Sequence, residues 1–289
     1  MFLNQLKTAL LLGGLSGLFL LLGQFLGGAQ GLTIALVIAL MLNFFAYFFS
    51  DKMVLAMYGA KPLDKNQYGW VYDMVKELCK KAHLPMPKLW YVATPAANAF
   101  ATGRNPRHSS VAVTQGILDI LNEEELRGVL AHEISHIANR DILVGTIAAT
   151  LATAIGYIAH MLQWSVIFGG RRSDKQGGNM WGSLIIAIFM PIIAMLIQLA
   201  ISRSREYLAD ESGAKTCQDP LALASALEKL NRDAQSHAKP AQTPAETATA
   251  SLFIVYPFSG KGVLNLLSTH PPMEKRIARL KEMYQKKQY

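Results

Sequence analysis

From Thr8 to Ser50 the chain carries no Asp, Glu, Lys or Arg, a run of 43 positions. A helix needs about 20 apolar residues to cross a hydrocarbon layer roughly 30 Å thick, so the run is long enough for two crossings. The Gly27-Gly28-Ala29-Gln30-Gly31 stretch divides it into spans near 8 to 27 and 32 to 50, joined by a tight uncharged turn. The second apolar run follows directly, with no clear polar region carrying an Ala-x-Ala cleavage site. The pair therefore reads as a retained hairpin and not as a cleaved signal peptide. Gly13 and Gly17 form a small-xxx-small pair, which predicts close helix packing in the first span.

Two further stretches, 142 to 170 and 176 to 202, are also free of formal charge and are separated by Arg171-Arg172-Ser173-Asp174-Lys175. A second hairpin is the simplest expectation, with buried or re-entrant helices as the alternative. Across the whole 289 residues only 17% are charged, against the roughly one quarter usual in a soluble domain, and the mean hydropathy is +0.22. A simple soluble enzyme is disfavoured. Four crossings would put 51 to 141 and 203 to 289 on one side of the membrane. Lys7, Lys52, Arg203 and Arg205 flank the spans there, which favours the cytoplasm, although Arg171, Arg172 and Lys175 oppose it. The expected domains are a transmembrane hairpin at 1–50, a polar catalytic region at 51–141, a second hairpin at 142–202 and a polar carboxyl-terminal region at 203–289.

Within the polar parts, Trp70, Val71, Met74, Val75 and Leu78 recur at helical spacing and predict a helix over 66–82. Residues 88–92 and 109–114 resemble short strands separated by a turn at Gly103-Arg104-Asn105-Pro106. Asn122 followed by Glu125 marks a helix start. No strong stop follows it, which leaves open a helix running into or beside the membrane. A helix from Arg203 would end near Gly213, and Asp219-Pro220 starts another that reaches Leu230. Residues 234–250 read as a mobile loop, and the Lys- and Arg-rich 272–286 as a helix with a solvated basic face. Nucleic acid is not an expected partner, because no binding motif or aromatic interleaving accompanies that charge. Cys79 and Cys217 are lone thiols at no metal-ligand spacing and imply no disulfide framework.

The chemistry sits in His132-Glu133-Ile134-Ser135-His136. Four residues is just over one helical turn, so both imidazoles project from one face and can direct nitrogen to one zinc, with Glu133 beside them to move a proton. A catalytic zinc takes three protein ligands and keeps one open position. Glu206 and Asp210 supply a second helical pair at matching spacing, Glu206 as the third ligand and Asp210 as the partner of a ligating imidazole's outer nitrogen. His136 precedes one apolar run by about six residues and Glu206 follows the next by about four. At 1.5 Å per residue both would stand within roughly 10 Å of the same membrane surface. His83, His108 and His237 lack partners at useful spacing, and His160 lies in the third apolar run. Arg203 and Arg205 are expected at anionic lipid headgroups, with substrate carboxylates as the alternative.

With these motifs in hand, the chain resembles the HtpX family of membrane-integrated zinc metalloproteases, relatives of the type I CAAX prenyl proteases. The resemblance covers the amino-terminal hairpin, His132 to Asp141, the two later apolar runs, Ser204 to Asp210, and Ser268-Thr269-His270-Pro271-Pro272. It implies a mainly α membrane protein, with four transmembrane helices and a cytosolic α+β zincin-like (gluzincin) metalloprotease domain. It also implies one zinc per chain on His132, His136 and Glu206, and Glu133 as catalytic base and acid. Substrates would be misfolded or damaged membrane proteins cut on the cytoplasmic side of a bacterial inner membrane. Asn98, in Ala97-Asn98-Ala99-Phe100, resembles a position at the active-site edge that orients substrate backbone or water, or else is a turn-forming Asn. His270 resembles a transition-state donor or displaceable fourth ligand, or else caps the last helix.

The strand region 88–114 can offer an edge for an extended substrate, with main-chain pairing giving broad sequence tolerance. The expected partners are unfolded or membrane protein substrates and the phospholipid bilayer, and a homo-oligomer is left open. A CAAX-type prenyl-protein protease, a non-catalytic zinc-dependent membrane regulator and a transporter with an accidental motif are the competing readings.

Overall fold

The computed structural model describes residues 2–147, 203–236, 253–255 and 271–289. Its first element, α1 (Phe2–Met57), is broken at Gly28, whose φ of 57° lies in the left-handed region that only glycine enters without strain. The chain doubles back there. The Asn43 amide donates to Ser16 Oγ across the two limbs at 2.7 Å, and a Cβ at Gly23 would stand 2.4 Å from that of Ala35. Close packing thus falls at Gly23 and Gly31, next to the bend. At Gly13 and Gly17, where the spacing predicted it, a Cβ would meet nothing within 4 Å among the described residues. The second limb, Gly27–Met57, is long and apolar enough to span a membrane, and the first contains the shorter apolar stretch Leu12–Leu21. The two later apolar runs lie outside the described residues, apart from a helical segment at 142–147.

Beyond α1 come β1 (Lys61–Pro62), α2 (Gly69–Lys81), β2 (Lys88–Val92), β3 (Ala99–Asn105), β4 (His108–Thr114), α3 (Gln115–Ile120) and α4 (Glu123–Ala138). The later helices are α5 (Arg203–Cys217), α6 (Pro220–Ser236) and α7 (Met273–Gln285). The strands form one mixed sheet in the order β1-β2-β4-β3, with β2 and β4 parallel and β3 antiparallel to β4. The expected turn at 103–106 is therefore mostly strand. β3 runs to Asn105, irregular between Gly103 and Asn105, and only residues 106 and 107 turn.

Strand alternation gives the sheet two apolar faces. Leu89, Ala99, Ala101, Val111 and Val113 pack on α2, α4, α6 and α7 in the main core. Val92, Phe100 and Ala112 face the other way and are covered by Val54, Leu55 and Tyr58 at the end of α1 and just past it. The α1 hairpin thus ends in the second core of the polar domain.

α4 crosses the centre of the main core. Its start carries the predicted capping box: Asn122 Oδ1 accepts from the Glu125 amide, and Glu125 Oε2 accepts from the Asn122 amide. Burial alone would raise the Glu125 carboxyl's pKa, but Lys229 Nζ and Ser225 Oγ, each at 2.7 Å, hold it below the ordinary value and bind α6 to α4. Its end differs from expectation, because α4 stops at Ala138 and does not continue toward the membrane. Arg140 takes φ 55°, and the Asp141 amide turns back to the His136 carbonyl at 3.3 Å. No Gly or Pro announces this stop.

Nor does Gly213 end α5, which continues to Cys217. A Cβ at Gly213 would lie 2.9 Å from the His132 amide nitrogen and 3.0 Å from its Cα, so the missing side chain is what lets α5 seat directly on α4 at the first histidine. Gly213→Ala gains roughly 1 kcal/mol of helix propensity and meets an overpacking cost of about 1–3 kcal/mol. The expected outcome is a net loss of stability in urea titration of the detergent-solubilised protein, together with weaker zinc binding. A more stable variant with unchanged zinc affinity would show that the contact is not tight.

Candidate metal centre

α4 and α5 lie side by side so that His132 and His136 from one meet Glu206 from the other. His132 and Glu206 are buried, 1% and 8% exposed, and His136 is partly so. The two Nε2 atoms stand 3.1 Å apart, Glu206 Oε2 is 3.7 Å from the first and Glu206 Oε1 3.5 Å from the second. All the donor atoms lie within 4.8 Å of one another. A tetrahedral zinc with bonds of about 2.0–2.1 Å separates its ligand atoms by about 3.3 Å, so the spacing fits. Two nitrogens and a carboxylate are also the donor set of known hydrolytic zinc sites.

The outer ring nitrogens are held by carboxylates. His136 Nδ1 lies 3.0 Å from Asp141 Oδ2, and His132 Nδ1 lies 3.0 Å from Asp210 Oδ1, off the line of an ideal hydrogen bond. In both rings this leaves Nε2 as the lone-pair atom facing the focus. The Asp141 contact depends on the tight turn at Arg140. Burial works against a charged His136, yet Asp141 and Glu206 raise it to about 10, whereas burial pushes His132 below its ordinary value.

Glu133, 4% exposed, is the next residue on α4. Burial first, and the Glu206 charge as well, lift its carboxyl to about 8, against the pull of His136 and of the Ala101 amide that donates to it. That amide belongs to the outer side of β3. The Asn98 carbonyl accepts from the Thr114 amide, so residues 98, 100 and 102 bond to β4 while 99, 101 and 103 turn outward. β3 is the last strand of the sheet, and Glu133 sits at its outward edge.

Arg276 on α7 completes the site. It is 0% exposed, and its Nε and Nη2 fork onto Asp210 Oδ2 and Oδ1 at 2.8 and 2.7 Å. Nη1 donates to the Ile254 carbonyl at 3.0 Å and stands 3.8 Å from Glu206 Oε2. Burial opposes the Asp210 charge, but the Arg276 fork and the His132 contact prevail and hold its carboxyl at about 2. Asn98 ties in from the other end. It is 1% exposed, its Oδ1 accepts from the Ile254 amide at 3.2 Å, and its buried Nδ2 has no hydrogen-bond partner among the described residues.

The structure thus brings together His132, Glu133, His136, Glu206 and Asp210 as the sequence predicts, and sets Asn98 at the same edge. His270 lies outside the described residues. Asp141 and Arg276 were missed: the first lies past a helix end that leaves no Gly or Pro signal, and the second is hidden in a basic stretch that reads as a solvated face. Arg205 turns to the site: it is partly exposed with a buried Nη1, and burial lowers its pKa against the opposing charges of Asp141 and Glu206.

Residues 65–284 match the model of peptidase family M48. The chain is 53% identical to the Protease HtpX homolog of Persephonella marina, covering 97% of this chain and 98% of that one. The Aquifex aeolicus homolog is 51% identical over 94% of this chain and 90% of its own length. The crystal structure of S. mikatae Ste24p aligns with a TM-score of 0.52 at 17% identity, over 96% of this chain but only 65% of that one, which is a likeness of fold. With the family model matched over residues 65–284 and half of all positions shared with relatives aligned over nearly their whole length, the chain belongs to peptidase family M48, among the HtpX proteases.

Proposed function

We propose that this protein is a membrane-integrated zinc endopeptidase that cuts unfolded or damaged membrane proteins on the cytoplasmic side. The convergence of His132 Nε2, His136 Nε2 and the Glu206 carboxylate beside a buried Glu133 carries the proposal. Those three residues would hold a zinc, which when bound would supply Lewis-acid polarisation of the scissile carbonyl and a more acidic attacking water. Glu133 takes the proton from that water and returns it to the leaving amine. Its burial suits the task, since a carboxylate without a shell of water binds a proton more readily.

The outward groups of β3 align an extended substrate beside Glu133, and main-chain pairing there tolerates many sequences. The unpartnered Asn98 Nδ2 is a donor for a substrate carbonyl. His270 donates to the developing oxyanion. A prenyl-protein protease would share this chemistry, and competition between an isoprenylated carboxyl-terminal peptide and a denatured protein separates the two. The basic test is hydrolysis of a denatured protein by the purified, detergent-solubilised chain. Chelation should abolish it and added zinc restore it.

Glu133→Gln should keep one zinc per chain while turnover falls by about 10²–10⁴-fold or more. Wild-type turnover in the zinc-loaded variant would remove Glu133 from the proton transfers. His270→Phe should retain zinc and lose hydrolysis, and unchanged hydrolysis would take His270 out of the site.

Arg276→Gln leaves Asp210 charged and buried without its fork, at a cost of about 3–5 kcal/mol. Loosening the imidazole behind it should weaken zinc binding about 10–100-fold. Arg276→Lys should recover only part, having no planar fork. The stability that Asp210 adds in the metal-free chain is complete above its ordinary 3.8 and is lost as pH falls toward about 2. The gap between the wild type and Arg276→Gln in urea titrations should therefore narrow across that window.

A further inference from the structure

α1 and β3 touch at two places that fix their mutual direction. Near the end of the apolar run, the Arg104 guanidinium stands 5.1 Å over the Phe48 ring. Ten residues further along, Tyr58 packs on Phe100 with ring centroids 5.2 Å apart, beside buried Val54 and Leu55. Ten residues of helix rise about 15 Å, and the four residues from Arg104 back to Phe100 span about 13 Å of strand. The lengths agree only if β3 runs alongside the last turns of α1, its Asn105 end toward the membrane and its Asn98 end away from it.

The charges at the lower end suit a lipid surface. Phe44, Phe45 and Phe48 are exposed on α1, as lipid-facing residues would be, and charge returns only at Asp51 and Lys52. Lys52 Nζ lies 5.2 Å over Phe49. The hairpin tip between β3 and β4 adds Arg104, exposed Arg107 and exposed His108, the last tied to Asn105. Three cations against the single half-buried Asp51 stand at the level where an apolar span leaves the hydrocarbon, where basic residues meet anionic headgroups.

We propose that the β3–β4 tip, through Arg104 and Arg107 together with Lys52, is seated in the anionic phospholipid headgroup layer. β3 is thereby held along the membrane normal, and the chain cuts at a set height. Ala101, whose amide meets Glu133, is three residues above Arg104, so the scissile bond lies about 10 Å above the tip. The substrate class this selects is the extended segment that emerges directly from a transmembrane helix. The height rule rests on the endopeptidase function proposed above, whereas the seating of the tip does not.

The test has two arms. In the first, Pro106→Cys is labelled with a fluorophore and the full chain is reconstituted in vesicles of phosphatidylcholine with or without phosphatidylglycerol. The native thiols do not compete, because Cys79 and Cys217 are buried and burial raises both, Cys79 to about 11. A quencher on the lipid headgroup should quench this label far more than one on exposed Lys80→Cys. The quencher carried by phosphatidylglycerol should exceed that carried by phosphatidylcholine by about fivefold for each cation engaged. R104Q/R107Q should bring the two lipids toward parity. Quenching no greater than at position 80, or no preference for the anionic lipid in the wild type, overturns the seating.

In the second arm, substrates carry one transmembrane helix followed by a tail of repeated identical sequence. Cleavage should concentrate about three to six residues beyond the headgroups. Cuts spread evenly along the tail overturn the height rule. Hydrolysis of neither these tails nor a denatured protein defeats the endopeptidase function, and the quenching result still decides the seating.

Discussion

The fork of Arg276 on Asp210 is the interaction on which the site's geometry hangs. Three chain segments distant in sequence meet at that pair: α7 brings the guanidinium, α5 the carboxylate, and residues 253–255 the carbonyl that accepts its third bond. Placing a guanidinium at 0% exposure is costly unless its donors find acceptors, and here six polar atoms satisfy one another. The consequences run in both directions. Toward the metal focus, Asp210 backs His132; toward the substrate edge, Ile254 is held by Asn98 at the start of β3. A single buried pair thus sets the distance between the His132, His136 and Glu206 cluster and the start of β3.

The second constraint is the contact of α4 with α5. A metal focus built from two helices is only as well defined as the distance between them, and that distance is set by what is absent at Gly213. Both ends of α4 serve the same purpose. Its capping box fixes where the helix begins, with Glu125 also gripping α6, and the turn at Arg140 swings Asp141 back under His136. A left-handed arginine costs about 1–2 kcal/mol. It is tolerated where the reward is a carboxylate behind a metal-ligating imidazole.

What could be read from the sequence were features whose physics is local. The hairpin bend, α2, the capping box, the start of α6 and the His132–His136 pair each depend on residues within a turn or two. Glu206 is non-local, yet it was readable because the third ligand of a zinc site has few places to come from and because both helices adjoin uncharged runs. β3 was not, since Ala99-Phe100-Ala101-Thr102-Gly103 has a single branched residue, Thr102, and lacks the boundaries of a strand. It is a strand because β4 and α4 hold it. Arg276 was unreadable for the opposite reason: a basic residue in a basic helix carries no mark of burial, which only Asp210, 66 positions away, confers. The stop at Ala138 and the continuity through Gly213 share a cause. Tertiary contacts there override what Gly and its absence ordinarily signal.

The end of α1 shows why anchoring and catalysis are inseparable in this fold. A four-stranded sheet with two apolar faces needs two covers. The main core uses the helices that carry the His132, His136 and Glu206 cluster; the other face uses Val54, Leu55 and Tyr58, which lie at or just past the end of α1. Phe100 and Ala101 are neighbours on one strand and point to opposite faces, one onto the anchor and the other toward the helix that carries Glu133. Any tilt of the hairpin relative to the sheet must therefore be felt at the Glu133 carboxylate. Because packed cores do not deform smoothly, the second limb of α1 and the edge strand are held in one mutual direction by the protein's own interior.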